Sequence, residues 1–211
     1  MAIVGMNGSG KTTFARQILR DRSFVVVFAT KARDDSLYQP LEQAGFVIRE
    51  HWSPYDWEET GERYVIFRPL PPGVRPTPDA LRDQADAFRE ALYDIFVAGG
   101  WCCYFDEVRY ISDDLGLIRP LNLLWLQGRS NNITMVASTQ RPVAVPINMF
   151  EQASWIVTWR VSDADDRKRV AEYTGPLAPE VRVTAAMLPR HEFLAVKKYD
   201  DIAVRSRVEL V

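Results

Sequence analysis

The chain has 211 residues and a formal net charge of −2; 47% of residues are hydrophobic and 26% charged. This is the make-up of a globular domain, and it excludes disorder, a collagen repeat and a disulfide scaffold. The charge balance excludes a wholesale basic coat for nucleic acid but leaves room for a local basic patch or channel.

The length predicts one domain over residues 1–211. Residues 1–4 read as a short apolar strand that runs straight into a glycine-rich loop, so no signal peptide is expected. No apolar run approaches the roughly 20 residues needed to span a bilayer. Residues 11–20 read as a helix, and 24–29 as a β-branched strand of the kind buried on both faces. A short helix over 36–44, a strand over 46–49 and a strand over 64–67 follow. Pro69 to Pro78 must be irregular.

Residues 77–98 carry the longest helical pattern, with Leu81, Ala85, Phe88 and Leu92 at 3–4 spacing. Thr77-Pro78-Asp79 is its start signal and Gly99-Gly100 its stop. Strand 101–105 is followed by a helix over 115–127, which Pro120 should bend or break. Strands at 133–138 and 155–159 and a charged helix over 163–173 come next. A hairpin closes the chain, 193–197 with 202–208, around Tyr199-Asp200-Asp201. Strands alternating with helices predict an α/β sandwich with a mostly parallel central sheet and helices on both faces. Cys102 and Cys103 are adjacent and point to opposite faces of a strand, so they read as buried thiols rather than a bridge. With His51 and His191 far apart, no zinc site is expected.

Gly5-Met6-Asn7-Gly8-Ser9-Gly10-Lys11-Thr12 matches G-x-x-x-x-G-K-[ST] between a strand and a helix, the context that gives this motif its meaning. Glycines let successive backbone N–H groups turn toward phosphate oxygens, and the helix start adds its positive dipole end. The expected nucleotide contacts are Gly5, Asn7, Gly8, Ser9, Gly10, Lys11, Thr12 and Thr13. Lys11 is expected on the β- and γ-phosphates and the Thr12 hydroxyl on Mg²⁺, making ATP and Mg²⁺ the expected cofactors.

A second strand ends in Asp106-Glu107. At the carboxyl edge of a parallel sheet, Asp106 is placed to hold Mg²⁺ and Glu107 to deprotonate an attacking water. A third strand ends in Thr139-Gln140-Arg141-Pro142. Gln140 reads either as a contact to the γ-phosphate or attacking water, or as a plain turn residue. Arg141 reads as a second phosphate reporter or as a contact to a neighbouring subunit. Lys31, Arg33, Arg109 and Arg119, each near acids, read as DNA grips or as solvated surface charge; Lys31 could instead face the nucleotide. Trp155 and Trp159 read as packing residues rather than a base-stacking platform, Trp52, Tyr55 and Trp57 as cover for a sheet edge or a partner surface.

The order GMNGSGKT, an apolar strand ending in Asp106-Glu107, then QGRSNNITMVASTQRP resembles the FtsK/HerA superfamily of P-loop ATPases. The likeness runs from Val4 to about Tyr173 and is weakest over 31–78. It implies a RecA-like core, a hexameric ring with double-stranded DNA in its channel, and an arginine supplied in trans to the γ-phosphate. Arg129 is the first candidate for that finger and Arg141 the second; the alternative for Arg129 is a helix-end cap or salt bridge. A chain that is nearly all motor domain is similar in layout to viral genome-packaging ATPases. That implies a packaging motor in the host cytoplasm or on the virion, with capsid vertex proteins as possible partners. A cellular FtsK/HerA-like translocase is the alternative, as are a conjugation or filamentous-phage pump and a non-hydrolysing, ATP-gated assembly subunit. A P-loop nucleotide kinase is the alternative from a different class; Glu107 beside the metal acid and the Thr-Gln-Arg-Pro strand end count against it.

Overall fold

The computed structural model describes residues 1–209. In chain order the strands are β1 (Ala2–Val4), β2 (Val25–Phe28), β3 (Val47–Arg49), β4 (Tyr64–Phe67), β5 (Cys102–Phe105), β6 (Thr134–Thr139), β7 (Trp155–Thr158), β8 (Glu192–Lys197) and β9 (Ile202–Arg207). The helices are α1 (Lys11–Arg20), α2 (Tyr38–Gln43), α3 (Trp57–Thr60), α4 (Pro78–Ala98), α5 (Ile118–Gln127), α6 (Asn148–Glu151), α7 (Ala164–Glu172) and α8 (Ala178–Met187). The chain falls into two compact units: Ala15–Val136, and Met1–Phe14 with the chain from Ala137 on. The division passes through α1 and β6.

In the unit Ala15–Val136 the strand order is β3-β4-β2-β5, all parallel. β6 enters beside β5, where the Thr134 N–H donates to the Trp101 carbonyl at 2.9 Å. Val25 to Phe28 align residue for residue with Cys102 to Phe105. Every residue of β2 and β5 is buried. That explains sequences without polar alternation, VVVF and CCYF, as in parallel sheets covered on both faces. Burial pushes the Cys102 thiol up to about 11 and the Cys103 thiol well above the ordinary cysteine value. Both therefore stay protonated, as inert packing groups.

Phe28 stacks on Phe105 with ring centroids 4.8 Å apart, and Phe88 of α4 meets Phe28 edge-on at 5.2 Å. Burying a side chain such as Phe88, Leu92 or Ile95 contributes about 1.5–3 kcal/mol each, which fixes α4 against the sheet. The ends of α4 follow the sequence. The Thr77 hydroxyl accepts from the Ala80 N–H, Pro78 opens the helix, and Gly99 closes it at φ 68°. A Cβ on Gly99 would lie 2.5 Å from the Asn131 carbonyl oxygen, so only glycine lets these loops meet. Pro120 bends nothing. It is the third residue of α5, where the backbone N–H has no intrahelical acceptor to lose.

In the other unit β1 lies between β6 and β7, parallel to both, with Val4 opposite Thr139 and Thr158. β8 runs antiparallel to β7, and β9 antiparallel to β8. The expected mostly parallel sheet with a closing hairpin is therefore present, and Asp201 turns it at φ 51°. β1 is wholly buried, while every residue of β9 is exposed. Asp163 caps α7 by accepting from the Asp165 and Asp166 N–H groups. The charged helix α7 is amphipathic: it buries Asp166, Val170 and Ala171 and leaves Ala164, Asp165 and Lys168 exposed. Trp159 packs as expected, edge-on to Phe14 at 5.6 Å and tilted against Phe193 at 5.1 Å.

Candidate nucleotide site

Residues 5–10 link β1 to α1 as a turn that needs its glycines. Gly8 sits at φ 69° and Gly10 at φ 111°, conformations that L side chains rarely adopt. At Gly5 the limit is space: a Cβ would lie 2.8 Å from both Ser9 Oγ and Trp159 Cβ. The Gly5 N–H donates to the Thr139 carbonyl at 3.2 Å. The loop therefore starts level with the end of β6, and Gln140, the next residue, lies exposed at that same sheet end. Lys11 is buried, and its Nζ donates to the Gly5 carbonyl at 2.6 Å and the Met6 carbonyl at 2.9 Å. A buried ammonium enclosed by a glycine turn at a helix start is a seat for a polyanion. The Ser9 hydroxyl, buried without a hydrogen-bond partner, fits the same reading.

In the unit Ala15–Val136, Asp106 follows the last residue of β5 and is nearly buried, while Glu107 is half-buried. Lys31, three residues beyond β2, reaches the Asp106 carboxylate at 3.0 Å and Asp34 at 2.7 Å. The aligned ends of β2 and β5 bring these loops together. Lys31 is thus tied to the metal-acid candidate. Burial works against the Lys31 ammonium, but Asp106 and Asp34 outweigh it and hold its pKa above the ordinary lysine value. Burial likewise opposes ionisation of Asp34, and hydrogen bonds from Lys31 and Ser36 overcome it. The Tyr104 hydroxyl lies 3.1 Å from the Asp106 carboxylate.

Arg141 pairs with Asp166 at 3.1 Å, and the same carboxylate accepts from the Val143 N–H at 3.1 Å. Arg129 lies exposed in a single 3-10 turn, Gly128–Asn131. Asn131 anchors that turn by donating to the Phe96 carbonyl and accepting from the Gly100 N–H, beside the amino end of β5. Asp106 lies beyond the other end of the same four-residue strand. At about 3.3 Å per residue that separation is on the order of 10 Å. Sequence reading did not foresee the Lys31–Asp106 pair. It also did not foresee that residues 188–191 lie beside the phosphate loop.

No family model matches the chain. It is 26% identical over 205 residues to the DNA packaging ATPase P9 of Enterobacteria phage PRD1, covering 95% of this chain and 79% of that protein. The chain is thus similar in sequence to a viral DNA packaging ATPase. The genome packaging NTPase B204 of Sulfolobus turreted icosahedral virus 2, solved with AMP, superposes at a TM-score of 0.65 and 15% identity, over 99% of this chain and 96% of that one. B204 has also been solved with AMPPCP and with ATP-gammaS. VirB4 of Thermoanaerobacter pseudethanolicus matches at a TM-score of 0.69 and 10% identity, over 100% of this chain and 89% of that one. Among the described residues no helix is long and apolar enough to cross a membrane.

Proposed function

We propose that the chain is an ATP-hydrolysing DNA translocase, the motor subunit of a viral genome-packaging ring. The observation that carries this reading is the phosphate loop: a buried Lys11 inside a turn whose Gly8 and Gly10 only glycine readily supplies. The likeness to packaging ATPases over nearly the whole chain turns nucleotide binding into a packaging role. In this reading Gly5, Asn7, Gly8, Ser9, Gly10, Lys11 and Thr13 hold the triphosphate. Thr12 and Asp106 supply oxygen donors to Mg²⁺, a hard cation suited to them. Bound metal neutralises charge developing on the phosphoryl oxygens. Glu107 takes the proton from the attacking water, and Gln140 orients that water or touches the γ-phosphate.

Arg129 is proposed as the finger acting on a neighbouring subunit's nucleotide. Its place at the far end of β5 from its own chain's Asp106 supports action in trans. Arg141, already paired to Asp166, is the second candidate. A homohexamer around double-stranded DNA, working in the host cytoplasm or at a capsid vertex, completes the proposal. The chain acts as a single domain over residues 1–211.

ATP turnover with and without double-stranded DNA, read beside mass by light scattering, tests the proposal. It predicts that DNA raises turnover and that a ring forms. Turnover indifferent to DNA but dependent on a nucleoside monophosphate acceptor would mean a kinase.

A further inference from the structure

Among the buried residues of α4, one is polar. Ala85, Phe88, Ala91, Leu92 and Ile95 are buried, and Gln84, in the same stripe, is only 2% exposed. A buried amide needs a hydrogen-bond partner, whereas an apolar side chain of similar volume would fill the space without one. The partner is Tyr110, whose hydroxyl donates to Gln84 Oε1 at 2.9 Å across 26 residues of sequence. Burial, with the Asp114 charge nearby, pushes the Tyr110 phenol above its ordinary value, so it remains a donor.

Tyr110 opens the π-helical turn Tyr110–Asp114, in which the Leu115 N–H donates back to the Tyr110 carbonyl at 3.0 Å. Single π turns are rare and occur frequently at functional sites. This one begins three residues after Glu107. Val108, Ile111 and Ser112 seat it in the interior, and the Ser112 hydroxyl donates to the Arg109 carbonyl at 3.1 Å. Upstream, β5 fixes the nearly buried Asp106. Residues 106 and 107 form a turn between these two anchors. A strand dictates where its last residue lies but not the direction in which the chain leaves it. The Glu107 backbone is therefore set by β5 on one side and by the π turn on the other, and the Tyr110–Gln84 bond ties that turn to α4.

We propose that Tyr110 and Gln84 are positioning residues for Glu107: their bond holds the turn after β5 against α4 in the one placement that aims the Glu107 carboxylate at the attacking water. The inference rests on Glu107 being the base and extends that reading. A general base must come within hydrogen-bond reach of the proton it takes, and a displacement of about 1 Å can cost about a hundredfold in rate. Apolar packing alone would hold the turn less exactingly. It is non-directional, whereas a hydrogen bond weakens steeply as its angle closes. Both residues act through the backbone of residues 107–110 rather than on the nucleotide. That gives a reason for an amide where α4 otherwise buries apolar side chains.

Melting temperature, ATP affinity and turnover at saturating ATP are measured on the whole protein and on Tyr110→Phe, Gln84→Met and the double variant. Phenylalanine removes only the hydroxyl, and methionine keeps the side-chain length without the amide oxygen, so both should fold; if Gln84→Met does not, Tyr110→Phe still decides. Each single variant is expected to lose about tenfold in turnover and to keep ATP affinity within about twofold, with the double variant no slower than either single. In a Glu107→Gln background, where no base remains to be aimed, Tyr110→Phe is expected to leave single-turnover hydrolysis unchanged. Turnover near that of the unaltered protein in Tyr110→Phe, even with a lowered melting temperature, overturns the proposal and leaves the bond a purely structural one. So does a matching loss of ATP affinity, or a loss of turnover that persists in the Glu107→Gln background. Glu107→Gln alone turning over like the unaltered protein instead overturns the assignment of the base beneath it.

Discussion

Asp166 shows how a single side chain is worth more than its ion pair. Its carboxylate is nearly buried, accepts from the Val143 N–H and meets Arg141, whose own side chain is 60% exposed. Removing the acid leaves a backbone donor and a guanidinium without their acceptor, whereas removing the arginine takes away only a screened surface charge. Thermal or urea unfolding should therefore show Asp166→Ala destabilising the chain by about 1–3 kcal/mol. Arg141→Ala should cost less than about 1 kcal/mol. Equal losses would mean that the pair, not the backbone bond, is what Asp166 contributes. The same contrast applies to Lys31. Its bond to Asp106 spans 75 residues of sequence and exists because β2 and β5 pair in register. Nothing local in the sequence announces it, whereas Gly8, Gly10 and Lys11 announce themselves by spacing alone.

At the scale of elements, legibility followed the strength of local signals. α4 was readable end to end because its apolar stripe, its Thr77 cap and its Gly99 stop agree. Thr77→Ala should lower unfolding stability by about 1 kcal/mol, with Thr77→Gly costing less, since glycine caps poorly but tolerates the cap conformation. A loss below the error of the measurement would leave the cap bond from Ala80 without energetic weight. The strands β1, β2 and β5 are equally plain, being short runs with no charged or amide residue. α8 was not foreseen, because it buries only Val181 and Ala185 and so shows no stripe. α3 and α6 are single turns, too short for periodicity to register. The π-helical turn Tyr110–Asp114 begins three residues after Glu107, where a short insertion of wide turn has no sequence signature. The phosphate loop was legible in the sequence, whereas the cavity that lies beside it was not. The cavity is assembled from three loops that meet only in the folded chain.

For the whole molecule, the proposed function makes a phosphate loop, an acid strand end and a Thr-Gln-Arg-Pro strand end parts of one hydrolytic cycle, which a ring of subunits would spend on moving DNA. The likeness to P9 and B204 extends over nearly the full chain. In that proposal Arg129, at the far end of β5 from Asp106, acts on a neighbour's nucleotide. The claim on which the rest depends is that Glu107 activates the water that cleaves the terminal phosphate. Its most direct measurement is ATP binding beside steady-state hydrolysis in Glu107→Gln, a substitution that keeps size and removes only the base. The account predicts unchanged ATP affinity with turnover reduced by about a hundredfold or more, the usual worth of a general base. Turnover near that of the unaltered protein, with binding intact, would contradict it.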